Sequence, residues 1–421
     1  MDPLLIGGVA VAAVALYLWT GGPDSSSAFA ALADAFLHGR LSIDHDMPWL
    51  EIVPVTPGGH DWYVPLPPVP AVVLLPFVAV FGPGLDVGII VAVVGGLNVV
   101  LLAWLLSAVG VPTRVQAWLA VGFALGSVEW WAAGMAGTHL DAQVWSVFFA
   151  LLALNLAVRR RWPLLGGLLL GLAAGARIPV GLTAPLYLAF YGGLVITRAG
   201  ERDEVPAGEP EGAEAGLAFG PVRIRWPDRD GLLAIGWLVV GVAIVAAPVA
   251  LYNLARFGDI FDFGYTRIPS SFGATVLDEP WYAQGLNCLC YIPRNLHAMF
   301  IRGFDYVDQF PWLRPNWTAT SLLITTPIFL WLVKARALVT LVVVGWIAVA
   351  LGIFPDITHG GVGWTQFGYR RILDVAPILW LLLGWVFRNG MSLEAKAAVI
   401  LGVLVNAYGI WAITVLGFVS F

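Results

Sequence analysis

The chain has 421 residues, 59% of them hydrophobic and only 12% charged, with a mean hydropathy of +0.83. A soluble domain carries roughly twice that charged share, so a purely water-facing globule is excluded and lipid must be part of the solvent. The formal net charge of −5 excludes the basic surface that nucleic-acid binding requires.

The first apolar run, Leu4 to Trp19, has no basic residues ahead of it and no small-residue cleavage site, which predicts a retained span and not a secretory leader. Crossing hydrocarbon takes about 20 apolar residues per helix. Suitable runs fall at 4–20, 85–109, 115–132, 140–158, 162–176, 179–197, 231–254, 317–333, 337–354, 371–387 and 396–416. These predict an all-α membrane protein of about 11 transmembrane helices, with residues 1–421 as a single domain.

The segment 69–82 is also apolar but short and flanked by prolines. Basic turns decide its placement. Arg159-Arg160-Arg161, the loop 198–230 with Arg198, Arg202, Arg223, Arg225 and Arg229, the pair Lys334 and Arg336, and Arg388 with Lys396 all fall on one side only if 69–82 does not cross. The expectation is therefore an interfacial helix at 69–82, a cytoplasmic N-terminus and an external C-terminus. The outer surface then carries the first loop 21–84, the turns near His139 and Arg177, the long loop 255–316 and the loop 355–370. The Glu-, Gly- and Pro-rich loop 198–230 reads as a flexible cytoplasmic linker. A second interfacial helix is predicted over 26–39, where Phe29, Leu32, Phe36 and Leu37 share one face and Gly39 ends the pattern. Cys288 and Cys290, one residue apart, read as free thiols, because so short a separation strains a disulfide.

The first loop is dense in polar groups for so apolar a chain: Asp24, Asp34, His38, Arg40, Asp44, His45, Asp46, Glu51, His60 and Asp61. Asp44-His45-Asp46 offers carboxylate and imidazole to a divalent cation, although three consecutive residues rarely converge on one ion unaided. The external cations are arginines, among them Arg177, Arg256, Arg370 and Arg371, and the guanidinium fork suits phosphate. Arg177 lies between two apolar runs near membrane depth, where an ionisable residue is a functional candidate by default. His139 and Asp141 open a span at the same face, with helix capping as the plainer role for Asp141. No phosphate-binding glycine loop, nucleophile elbow or zinc-protease motif is present.

The segments ALADAFLHGRL (31–41), WYVPLPPVPAVVLLPFVAVFG (62–82) after an acidic stretch, RIPVGLTAPL (177–186), YNLARFGDIFDFGY (252–265), YIPRNLHAMF (291–300), FPWLRP (310–315) and QFGYRRILDVAPIL (366–379) follow one another along most of the chain. In this order they resemble the multi-spanning GT-C glycosyltransferases, in particular the bacterial proteins related to protein O-mannosyltransferases and aminoarabinose transferases (glycosyltransferase family 39-like). The resemblance implies inverting transfer of one sugar, a mannose-like hexose or a pentose, from a polyprenyl-phosphate donor to an acceptor hydroxyl on a glycan, lipid or protein, at the external face. The lipid-linked donor is the only cofactor-like group it implies. An acidic first-loop residue would be the general base. Asp24 lies near the family's position, with Ser25 where the family has a second acid, and Glu51 best matches the carboxylate before the Pro-Pro helix; Asp44, Asp46 and Asp61 stay open. Arg370 and Arg371, then Arg177 and Arg256, match the donor-phosphate position, with His139, Asp141, Tyr265 and Tyr369 as substrate-binding candidates. The rival class is a polytopic transporter or lipid flippase, which should show inverted repeats and Gly/Pro-broken spans; the sequence displays neither.

Overall fold

The computed structural model describes residues 2–22, 27–47, 50–135, 137–198, 217–219, 222–364 and 366–420. The fold is that of an all-α membrane protein. Among the described residues six helices are individually long and apolar enough to cross a membrane: Pro3–Thr20, Val87–Ala108, Thr138–Val158, Arg229–Phe257, Thr340–Thr358 and Leu393–Thr414. Local chemistry sets their starts. Asp2 accepts from the amides of Leu4 and Leu5 ahead of Pro3, and Asp228 accepts from the amide of Gly231, which satisfies donors that a helix start leaves free.

The expected count of eleven full-length spans is not what the chain forms. Residues 115–132 divide into Thr113–Ala124 and Glu129–Met135. Residues 179–197 give only Ile178–Gly181 and Ala184–Gly192, and 162–176 is the short helix Pro163–Ala176. Residues 317–333 give Leu322–Thr325 and a 3-10 turn, Pro327–Lys334, while 371–387 becomes a 3-10 turn, Arg370–Asp374, followed by Ala376–Phe387. Pro179, Pro185, Pro327 and Pro377 each sit at the start of a piece, where a missing N–H is harmless, and none can continue the helix before it. Buried side chains repair the breaks. Tyr17 donates to the carbonyl of Ala124 at 2.8 Å, and Asn406 donates to that of Thr325 at 2.7 Å. The sequence-based expectation of unbroken spans is corrected accordingly.

Burial sorts the helices. Nearly all of Thr138–Val158 is buried, which makes it the centre of the bundle. Arg229–Phe257 exposes Leu232, Leu233, Trp237, Val239, Ile244 and Leu251, an apolar surface of the kind that lipid covers favourably. It packs on Pro163–Ala176 at very close range: a Cβ at Gly167 would collide with the Leu238 carbonyl, and one at Gly241 with that of Leu164.

One end of the bundle gathers the basic turns. Arg159 donates to the Trp104 carbonyl at 3.0 Å, Lys396 lies over Trp118, and Thr340 bonds the Leu194 carbonyl at 3.0 Å. A mostly apolar cavity of about 420 Å³ at that end is lined by Leu5, Pro112, Trp118 and Met391 among others. The loop beginning at 198 is not simply a linker. Val195–Arg198, Val222–Arg225 and Leu217–Phe219 form a three-stranded antiparallel sheet with Val222–Arg225 in the middle. The alternating VITR and VRIR patterns carry the period of two that strands require.

The opposite end holds the polar loops. Helix Ala28–Leu37 forms within the expected 26–39 segment and stops at His38 and Gly39, whose φ of +71° favours glycine. It packs against helix Val69–Phe81. Seven of its ten residues are buried, so the protein and not a lipid surface covers most of it. Cys288 and Cys290 are disulfide-bonded, against the expectation of free thiols: the backbone between them turns enough to bring their Cα atoms to 5.1 Å, inside the range a disulfide spans.

Candidate functional site

Three arginines meet at the polar end. Arg177 follows helix Pro163–Ala176 in an extended conformation that aims its side chain across the bundle. Its Nε donates to Asp374 Oδ1 at 3.0 Å and its Nη2 to Oδ2 at 2.7 Å, with Asp356 Oδ1 at 3.8 Å. Arg371 places Nη1 3.8 Å from Asp356 Oδ1 and donates from Nη2 to His359 Nδ1 at 3.1 Å. Arg370 differs. Its backbone is fastened at both ends, the amide donating to Gln366 Oε1 at 3.3 Å and the carbonyl accepting from Gln143 Nε2 at 3.1 Å. Among the described residues no carboxylate lies within ion-pair distance of its guanidinium, and its buried Nε has no hydrogen-bond partner. Gly368, at φ +81°, makes the turn that presents the pair. Three fixed cations thus face two buried carboxylates, Asp356 and Asp374, and the surplus positive charge sits on Arg370. A largely buried cation without a counter-charge is costly, and an anion placed beside it would remove that cost.

The first loop supplies a carboxylate to this cluster. Val53–Pro54 pairs antiparallel with Trp62–Tyr63, and Val53 packs into a small core with Ile268, Val276 and Tyr282. Glu51 is open to solvent, yet protein surrounds it on enough sides to desolvate it, and it faces Arg370 and Arg371, within their field, across a solvent-open cleft. Burial lifts it above the usual carboxylate range, the negative charge of Glu279 adds to the lift, and Arg370 and Arg371 oppose it.

Aromatic groups wall the cleft. Tyr265 and Tyr282 share a hydroxyl contact of 3.2 Å, and both rings stand edge-on to His359, with centroids at 5.6 and 5.5 Å. Burial, followed by the charge of Arg371, pushes His359 down to about 3, so the imidazole is neutral near neutrality. Arginine can only donate, so Nδ1 accepts and the proton belongs on Nε2, an assignment from the hydrogen-bond pattern. Tyr369 is fully buried with an unpartnered hydroxyl and lies within the field of Arg371, Asp356 and Asp374. His139, at the start of Thr138–Val158, lies within the field of all three arginines.

The structure thus brings together Glu51, Arg177, Arg370, Arg371, His139, Tyr265 and Tyr369 from segments far apart in sequence. Other candidates lie elsewhere. Arg256 donates to the Val64 carbonyl at 2.8 Å and to Asn253 Oδ1 at 2.9 Å and stacks over Tyr252 at 3.7 Å, a clamp between a helix end and the first loop. Asp141 accepts from Ser27 Oγ at 3.3 Å and from the Gly137 amide at 3.2 Å, which ties the start of helix Ala28–Leu37 to that of Thr138–Val158. Asp44 and Asp46 are exposed; His45 and Arg40 hold the Asp44 carboxyl below its usual range. Asp61 is also exposed. Asp24 lies outside the described residues. Among the described residues no group of three His, Cys, Asp or Glu side chains is placed to hold a metal ion, the Asp44-His45-Asp46 run included.

No protein-family model, curated protein or solved structure matches the chain.

Sequence reasoning missed Asp356, Asp374, His359, Tyr282 and Glu279. Asp374 lies inside QFGYRRILDVAPIL, three residues beyond the arginine pair. Asp356 was readable as an ionisable residue at membrane depth. Ending the span at 354, before Pro355, hid it, whereas helix Thr340–Thr358 continues through that proline.

Proposed function

We propose that the chain is a membrane glycosyltransferase of the GT-C type, transferring one sugar from a polyprenyl-phosphate donor to an acceptor hydroxyl with inversion. The observation that carries this reading is the pairing of an arginine that has no carboxylate partner among the described residues, Arg370, with a desolvated carboxylate within its field, Glu51. The family resemblance of segment 366–379, which supplies Arg370, adds to it.

In this reading Arg370 receives the donor phosphate, with Arg371 and Arg177 at its flank. Asp356 and Asp374 hold those two guanidinium groups in place and leave the anion to Arg370. Glu51 takes the proton of the acceptor hydroxyl as its oxygen attacks the anomeric carbon. The bond from that carbon to the phosphate oxygen breaks on the opposite face, and the electron pair leaves with the polyprenyl phosphate, whose growing charge the arginines stabilise. The topology that goes with this has eleven crossings, several made by broken helices, with the basic turns cytoplasmic and the cleft external.

The test is incubation of purified protein with a panel of polyprenyl-phosphate sugars and acceptors, reading release of polyprenyl phosphate. Turnover that falls in Glu51→Gln supports the reading; no turnover of any donor counts against it.

A second reading has its own observation. The breaks near 125–128 and at 326 are of the kind that transporters and flippases use. Substrate movement across liposomes, without sugar transfer in detergent, would favour it.

A further inference from the structure

An exposed aromatic pair stands at the rim of the cleft. Phe272 and Trp281 are 57% and 40% exposed, and their rings meet edge to face with centroids at 5.4 Å. The pair is held rigidly. Thr275 closes a capping box with Asp278 over the turn Val276–Asp278, and Ser270 bridges to Gly273. The Phe272 amide donates to Ser270 Oγ at 3.2 Å, and Ser270 Oγ donates in turn to Glu279 Oε1 at 2.8 Å. Arg294 donates to the carbonyls of both Trp281 and Gly360, which fixes the indole's backbone beside His359. The neighbouring residue, Tyr282, is part of the cleft wall, and Glu279 lies close enough to Glu51 to repel it.

The charge around the pair is selective. Glu51, Asp278 and Glu279 are acidic. Of the cations on the pair's own segments, Arg267 is engaged by Asp262 at 2.8 Å and Arg294 by the two carbonyls, while Arg370 and Arg371 act on Glu51. An anionic head group would be repelled here. A neutral polyol would not be: its C–H face packs on an aromatic ring, and its hydroxyls donate to carboxylates.

We propose that Phe272 and Trp281 form an acceptor platform, and that the acceptor is an uncharged glycan whose terminal sugar stacks there and directs a hydroxyl between Glu279 and Glu51. This rests on the transferase reading and narrows its acceptor to carbohydrate.

The test measures glycan binding without donor, by saturation-transfer NMR on the purified full chain with neutral manno- and arabino-oligosaccharides. Ring protons of the bound sugar should receive saturation in the wild type. Trp281→Ala should weaken binding about tenfold, the scale of one lost aromatic contact, while Trp281→Phe keeps most of it and shows that the loop still folds. Donor hydrolysis without acceptor should be unchanged in both variants. Glycan binding that is absent in the wild type or equal in Trp281→Ala overturns the platform, as does a Trp281→Ala effect confined to affinity for phospholipid vesicles. Because donor hydrolysis is read separately, a failed platform with intact hydrolysis leaves the transferase reading standing. Glycan binding without any donor turnover sinks that reading and leaves a carbohydrate site.

Discussion

Arg177 and Asp374, 197 residues apart in sequence, meet in a two-pronged ion pair of 3.0 and 2.7 Å, with the carboxylate side chain wholly buried. The pair joins the end of one helix to the 3-10 turn that carries Arg370 and Arg371, so it sets the position of the cluster as well as its charge. Removing one partner of a buried pair leaves an uncompensated charge. Asp374→Ala should therefore cost about 3 kcal/mol of stability. Thermal unfolding in detergent checks this. Arg177→Met combined with Asp374→Leu should recover much of the loss in stability but not in donor turnover, because the turn would keep its packing and lose a cation.

Among the described residues Arg370 has no carboxylate within ion-pair distance, and its buried Nε has no hydrogen-bond partner. Arg370→Ala should leave stability unchanged or higher, since a buried unpaired cation disappears. It should raise the KM for the lipid-phosphate donor by at least about tenfold, the scale of a lost charge-assisted contact. Acceptor KM should move little. An equal rise for donor and acceptor would remove Arg370 from the phosphate role.

The sequence made the arginine pair legible because charge in an apolar setting is itself a signal, and 366–379 holds the two arginines and Asp374 within five residues. It could not separate Arg370 from Arg256. Both are arginines near the end of an apolar run, and only the fold shows that Arg256 spends its fork on the Val64 carbonyl and Asn253. It could not rank the first-loop acids either. Only the fold brings Glu51, still open to solvent, within the field of Arg370 and Arg371, and the two-residue strands beside it leave almost no pattern to read. The break at Ala124 was missed for another reason: apolar composition continues across it, and the carbonyl it frees is satisfied by Tyr17, more than a hundred residues earlier.

The first-loop acids now divide by geometry. Asp44→Asn and Asp46→Asn alter exposed groups away from the cleft, and Asp44 only loses surface contacts with Arg40 and His45. Such contacts contribute little. Both variants should keep donor turnover and stability within measurement error. Loss of turnover in either, with the fold intact, would return the base assignment to that acid.

Glu51 should govern the acid limb of the pH profile. Burial and Glu279 lift its carboxyl above the ordinary range, so its proton is lost later as pH rises. A base works only when deprotonated, so kcat/KM should fall as pH drops, with a midpoint above the usual glutamate value. Glu51→Gln should lower kcat roughly a hundredfold or more and abolish that limb. Glu279→Gln removes a repelling charge and should shift the limb to lower pH without abolishing it. Stability moves the other way. A carboxyl raised by the fold contributes stability that is complete below its unfolded pKa and is lost as pH climbs through the folded one. Glu51→Gln, which stays neutral, should therefore be at least as stable as the wild type at neutral pH. A variant that loses activity by unfolding at neutral pH would contradict the assignment of Glu51 as a cleft base.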